Sequence, residues 1–160
     1  YKTNVLNGKP VMEFDSSNDG LGSVVAPSNP FSLMIAYRCF TNSGWHRAVQ
    51  GQSNNWLIGP YDGTHRYYNG NWIVGPSVTT GAWVYVTLTQ SGSSNVFYVN
   101  GSLANSNSGS LTPGNIYIGG RGAYVEPLYG QIAEVIIYSK VLPDSERLLI
   151  EAYLKNKYNL

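Results

Sequence analysis

The stretch GQIAEVIIYSKVLPDSERLLIEAYLKNKYNL, residues 130–160, closes a chain whose earlier residues read as short strands and turns. Its first half, IAEVIIY (132–138), is apolar almost throughout, the pattern of an interior strand covered on both faces. From Pro143 to Tyr158 the period changes, and Leu149, Ile150, Tyr153 and Leu154 fall on one helical stripe. Pro143 suits a first helical turn, and Asp144 with Glu146 suits the positive end of the helix dipole. Glu151 and Lys155 stand as an ordered i, i+4 pair. The segment therefore predicts a central strand running into a single helix laid against the outside of a β-structure.

Working back from this ending, strand-like runs recur between turn residues: KPVMEF (9–14), FSLMIAYRCF (31–40), NWLIG (55–59), NWIVG (71–75), AWVYVTLT (82–89), NVFYV (95–99) and NIYIGG (115–120). The connections FDSSNDG, PYDG, YYNGN and VNGS are rich in Gly, Asn and Asp, which tolerate or require positive φ. Asn69-Gly70 and Asn100-Gly101 are two-residue hairpin signals. In AWVYVTLT, Val84, Val86 and Leu88 share one face while Trp83, Tyr85 and Thr87 share the other. The polar stretch 102–115 reads as a long loop. Many short strands with regular turns predict an all-β antiparallel sandwich, a jelly roll with one C-terminal α-helix, as a single domain over residues 1–160.

Composition narrows the function classes. Only 12% of residues are charged and the net charge is +1, so the basic footprint of a nucleic-acid binder is missing. The chain has no run long and apolar enough to insert in a membrane. One cysteine, Cys39, excludes an internal disulfide and reads as a buried structural thiol. Eighteen glycines and thirteen tyrosines suit a turn-rich protein with a polar, uncharged surface.

Taken in order, NGKPVMEFDSSND, FSLMIAYR, NWLIG, GAWVYVTLT, FYVNG, NIYIGG and IAEVIIYSKVLPDSERLLIEAYLKNKY resemble the laminin-G-like domains of the concanavalin A-like lectin/glucanase superfamily. The resemblance spans essentially the whole chain and implies the concanavalin A-like jelly roll. It also implies a strand ahead of NGKP, so the chain is expected to be the C-terminal part of a longer polypeptide. Relatives often carry a capping Ser or Thr where Pro143 stands and a calcium-binding Asp where Ala133 stands. The cap hydroxyl and that carboxylate are therefore absent, and no cofactor is expected apart from a structural calcium at Asp15 and Asp19. Those two, with Ser17 and Gly20, match the first positions of a calcium loop, although Ala26 stands where the bidentate Glu belongs. An ordinary Asn-Asp-Gly turn accounts for the same residues.

The superfamily includes glucanases, whose chemistry needs two carboxylates facing one cleft. Only Glu13 and Asp15 show i, i+2 spacing on a strand, and a solvent-facing strand explains them. No G-x-S-x-G elbow is present. IGGRG (118–122) lacks the spacing and following helix of a phosphate loop and reads as a strand-ending turn. No catalysis is expected. Aromatic rings that stack on sugar C–H faces, mixed with planar polar groups, concentrate between residues 45 and 72. Trp45, His46, Arg66, Tyr68 and Trp72 are the candidate ligand-binding residues, whereas Trp56 and Trp83 fall inside strand motifs and read as core.

The leading expectation is a non-catalytic carbohydrate-binding or adhesion module, extracellular, on a cell or virion surface. Its partner would be a glycan or surface polysaccharide, with other copies or other domains of a larger assembly as further partners. The alternative is a structural subunit of an extracellular assembly (capsid, fibre or filament). A glucanase-like hydrolase ranks third, because the acid run is missing.

Overall fold

The computed structural model describes residues 1–17, 19–22, 25–120 and 126–160. Arg121 and Gly122 of the IGGRG stretch lie outside the described residues. In chain order the strands are β1 (Lys2–Leu6), β2 (Lys9–Asp15), β3 (Leu21–Gly22), β4 (Phe31–Cys39), β5 (Val49–Gly51), β6 (Leu57–Tyr61) and β7 (Thr64–Tyr68). They continue as β8 (Trp72–Ser77), β9 (Val84–Ser91), β10 (Ser94–Val99), β11 (Ser102–Asn107), β12 (Ile116–Ile118) and β13 (Tyr129–Tyr138), followed by α1 (Asp144–Tyr158).

Two antiparallel sheets stack. One has seven strands in the order β1-β2-β13-β4-β9-β10-β11, and the other has six in the order β3-β12-β5-β6-β7-β8. Strand alternation divides each sheet into an inner and an outer face. Val84, Val86 and Leu88 point into the core between the sheets, where Phe31, Tyr37, Trp56, Ile58, Tyr67, Ile73 and Phe97 are fully buried. Cys39 lies there too, and burial pushes its thiol up to about 11. Trp56 is core as expected, while Trp83 is only half-buried.

The outer face of the seven-stranded sheet packs Met34, Ala36 and Tyr85 against Leu142, Leu154 and Tyr158. The predicted helix is present, but its buried face differs from the apolar stripe. The residues turned inward are Arg147, Glu151, Leu154 and Tyr158, whereas Leu149 is 69% exposed and Tyr153 is 42% exposed. Apolar spacing selects a stripe without knowing which polar groups find partners beneath it. Here Glu151 accepts from Thr87 Oγ1 (2.9 Å) and from Arg147 Nη1 (2.8 Å), so its partner is Arg147 and not Lys155. Pro143 is the N-cap and its carbonyl accepts from the Glu146 and Arg147 amides, with no side-chain cap.

Two further differences concern the polar segments. Residues 102–107 form strand β11, paired to β10 through the Asn100-Gly101 turn, so the expected long loop begins later. Polar content hid this edge strand, whose side chains mostly face solvent. Ala133, where relatives carry the calcium Asp, sits at a register shift in β13, and its carbonyl accepts from Tyr158 Oη.

Candidate functional site: an aromatic face on the six-stranded sheet

Strands β6, β7 and β8 form an antiparallel meander. Tight turns fix which residues share its outer face. The two-residue Asp62-Gly63 turn pairs Tyr61 with Thr64, so Tyr61, Thr64, Arg66 and Tyr68 point the same way. The next hairpin pairs Tyr68 with Trp72. A bridge outside the named strands sets Trp45 opposite Tyr61. Gly59 faces Arg66 across the ladder, and a Cβ there would strike the His46 carbonyl, so its absence lets the Trp45–Ala48 segment lie close on β6.

The rings form a continuous row. Trp45 stacks on Tyr61 with centroids 5.7 Å apart and planes 8° from parallel. Tyr61 meets Trp72 at 4.7 Å, and Trp72 meets Tyr68 at 4.7 Å. Trp45 is 59% exposed and Trp72 39% exposed, unusual for side chains of that size. Arg66 braces the row: its guanidinium lies 5.4 Å from the Trp72 ring centre and 6.0 Å from that of Tyr61. Its Nε donates to Thr64 Oγ1 (2.7 Å) and its Nη2 to Asp62 Oδ2 (3.4 Å).

Below the rings lies a polar floor. Tyr61 Oη donates to Glu126 Oε1 (3.2 Å), Glu126 pairs with the buried Arg47, and Arg47 Nη1 donates to Asn55 Oδ1 (3.0 Å). Burial first, and then the Glu126 carboxylate, raises the Tyr61 phenol above its ordinary value, so the hydroxyl keeps the proton it donates. The result is a row of rings whose positions are fixed before any ligand arrives, the arrangement that lowers the entropic cost of binding.

Of the five residues singled out in the sequence, Trp45, Arg66, Tyr68 and Trp72 come together here. His46 adjoins the row, but its two ring nitrogens meet backbone carbonyls, Nδ1 that of Pro127 (2.7 Å) and Nε2 that of Ser43 (3.2 Å). Tyr61, Arg47 and Glu126 were not singled out. Tyr61 could have been found from the two-residue turn that puts it in phase with Arg66 and Tyr68. Glu126 is distant in sequence and carried no such signal.

Asp15 and Asp19 are also neighbours. Asp15 Oδ1 accepts from the Ser17 amide (2.9 Å), and Asp19 Oδ2 accepts from the Asp15 amide (3.4 Å). The Ser17 hydrogen bonds hold the Asp15 carboxyl below its ordinary value. One oxygen of each carboxylate is thus turned to a backbone N–H group. Among the described residues no group of three or more His, Cys, Asp or Glu side chains is placed to hold a metal. Glu13, the other acid of the i, i+2 pair, accepts from Gln131 and faces Lys2 at 3.3 Å. No helix among the described residues is long and apolar enough to cross a membrane.

The two-sheet sandwich with its terminal helix defines a jelly-roll lectin-like scaffold. A laminin-G-like family model of the concanavalin A-like lectin/glucanases superfamily matches residues 15–146, and the chain belongs to that superfamily. No curated protein sequence matches it. Among solved structures it is similar to domain 4 of AbnA, a GH43 extracellular arabinanase from Geobacillus stearothermophilus, in complex with arabinotriose: TM-score 0.67, 17% identity, 85% of this chain and 73% of that one. It is similar to the Ruminococcus gnavus IT-sialidase CBM40 bound to α2,3-sialyllactose: TM-score 0.66, 16% identity, 89% and 97% coverage. The LG4-5 domains of mouse laminin α1 align with TM-score 0.63 and 16% identity, over 84% of this chain and 43% of that one. At these identities the likeness establishes the fold.

Proposed function

We propose that the protein is a non-catalytic carbohydrate-binding module that takes a glycan on the aromatic row of its six-stranded sheet. The observation that carries this reading is the braced row itself. Trp45, Tyr61, Trp72 and Tyr68 stand on the outer face of a sheet whose counterpart is covered by α1. Rings of this kind offer apolar faces to sugar C–H groups, while Arg66, Asp62 and the Tyr68 hydroxyl supply polar contacts around them. His46 is assigned to positioning, since its nitrogens tie the Pro127 and Ser43 backbone to the rim. The module's place is extracellular, at a cell or particle surface where glycans are met.

A glycan array that includes arabinotriose and α2,3-sialyllactose, read with and without calcium, tests the proposal. For any glycan bound, Trp72→Ala is expected to weaken affinity by about 2 kcal/mol, roughly thirtyfold, with Trp45→Ala somewhat milder because that ring is more exposed. Absence of binding to every glycan would sink it.

A second reading, a subunit of an extracellular assembly, draws on a different observation. Leu148, Leu149 and Tyr153 stand exposed together on α1. Concentration-dependent self-association in sedimentation experiments, lost in Leu149→Asp, would favour it.

A further inference from the structure

On the opposite side of the molecule, α1 and the β9–β11 strands enclose an open groove of about 350 Å³ lined by Tyr85, Gly101, Ser102, Leu148, Glu151 and Lys155, among others. Two of its side chains are almost wholly buried, Tyr85 at 4% and Glu151 at 3% exposure. Each keeps one polar atom without a hydrogen-bond partner among the described residues. Glu151 Oε1 is occupied by Thr87 and Arg147, which leaves Oε2 to the groove, and among the described residues none donates to or accepts from Tyr85 Oη. Both atoms face the same small volume above Gly101. A Cβ built on Gly101 would lie 3.0 Å from Tyr85 Oη and 3.4 Å from Glu151 Oε2. The residue has φ +80°, so glycine suits both the turn and the opening.

A spare hydroxyl donor beside a spare carboxylate acceptor matches a group that accepts and donates at once, which is a hydroxyl. Burial and the neighbouring Glu151 raise the Tyr85 phenol above its ordinary value and keep it a donor. Local charge opposes an ionic ligand: Asp144 and Glu151 balance Arg147 and the rim cation Lys155. We propose that this groove is a second ligand site, taking the hydroxyls of a neutral sugar or polyol between Tyr85 Oη and Glu151 Oε2. It lies on the other sheet from the aromatic row and does not depend on it, so a chain with both sites would be bivalent.

The test titrates the Trp45→Ala, Trp72→Ala double variant with arabinotriose, glucose and galactose, following backbone amides by NMR. The expected result is saturable millimolar shifts at Gly101, Ser102 and Glu151. They should weaken about tenfold in Tyr85→Phe, which keeps the ring and removes the hydroxyl. Ala152→Leu, on the exposed helix face, should weaken them as well by narrowing the groove. No shift at these amides with any of the three sugars overturns the proposal, as do shifts unchanged by Tyr85→Phe, which would mean that the sugar is held without the Tyr85 hydroxyl. Failure of the aromatic row would show separately, as absent shifts at Tyr68 and Trp72 in the unsubstituted protein.

Discussion

Arg147→Ala is expected to destabilise the fold by about 3–5 kcal/mol, the cost of leaving a buried charge without its partner. Arg147 is 6% exposed and ties α1 to β10 through three contacts: Nη1 donates to Glu151 (2.8 Å), Nε to Asp144 (3.0 Å), and the guanidinium lies 4.0 Å from the Tyr98 ring centre. Deletion leaves the Glu151 carboxylate at 3% exposure with only the Thr87 hydroxyl bonded to it. Replacing the pair together is a different matter. Arg147→Met with Glu151→Leu removes both charges and keeps the volume filled, and should recover most of the loss. Chemical denaturation of the two single variants and the double variant checks this through the coupling energy. Additive losses would show that the pair does not act as a unit.

The second large effect is on acid stability. His65 is 6% exposed, and its Nδ1 meets Tyr37 Oη (2.7 Å) inside the sandwich. Burial lowers its pKa from 6.5 to about 4. In the unfolded chain the imidazole takes a proton near pH 6.5, while the folded protein resists until near pH 4. The unfolded state therefore binds more protons throughout that window, and stability falls as pH falls from 6.5 to 4. The contribution is present in full above pH 6.5, and its loss amounts to about 3 kcal/mol at the acid end. Urea midpoints at steps between pH 7 and 4 should fall more steeply for the native protein than for His65→Gln. Equal slopes would refute the assignment. Carboxylates held low, such as Glu13 beside Gln131, act in the same direction but at lower pH.

How much of this was legible beforehand differs between scaffold and site. The period-two runs and the 130–160 ending carried the sandwich and the helix because burial on one face leaves a regular trace in residue type. The helix's inner face was misread for the same reason. Arg147 and Glu151 are inward only because each finds the other and Thr87 beneath the helix, a tertiary fact with no local signature. Edge strand β11 was missed because four of its six residues are Ser or Asn and its Leu103 also faces solvent. At the site, Trp45, Arg66, Tyr68 and Trp72 were conspicuous by residue type. Tyr61, which joins Trp45 to Trp72, was hidden in what reads as a turn, and Glu126 arrives from the far end of the chain.

Within each strand, the meander that carries the aromatic row alternates outward-facing and core-facing residues: Tyr68 follows the fully buried Tyr67, and Trp72 precedes the fully buried Ile73. This has an evolutionary consequence. Substitutions at the outward positions 61, 64, 66, 68, 72 and 74 can change the exposed surface while the interior stays intact. A one-residue insertion or deletion there would instead exchange the two sets, turning Tyr67 and Ile73 outward and driving Trp72 into a filled core. Descendants of such a chain should therefore vary this face by replacing side chains within a fixed strand length, with length changes confined to the connecting turns.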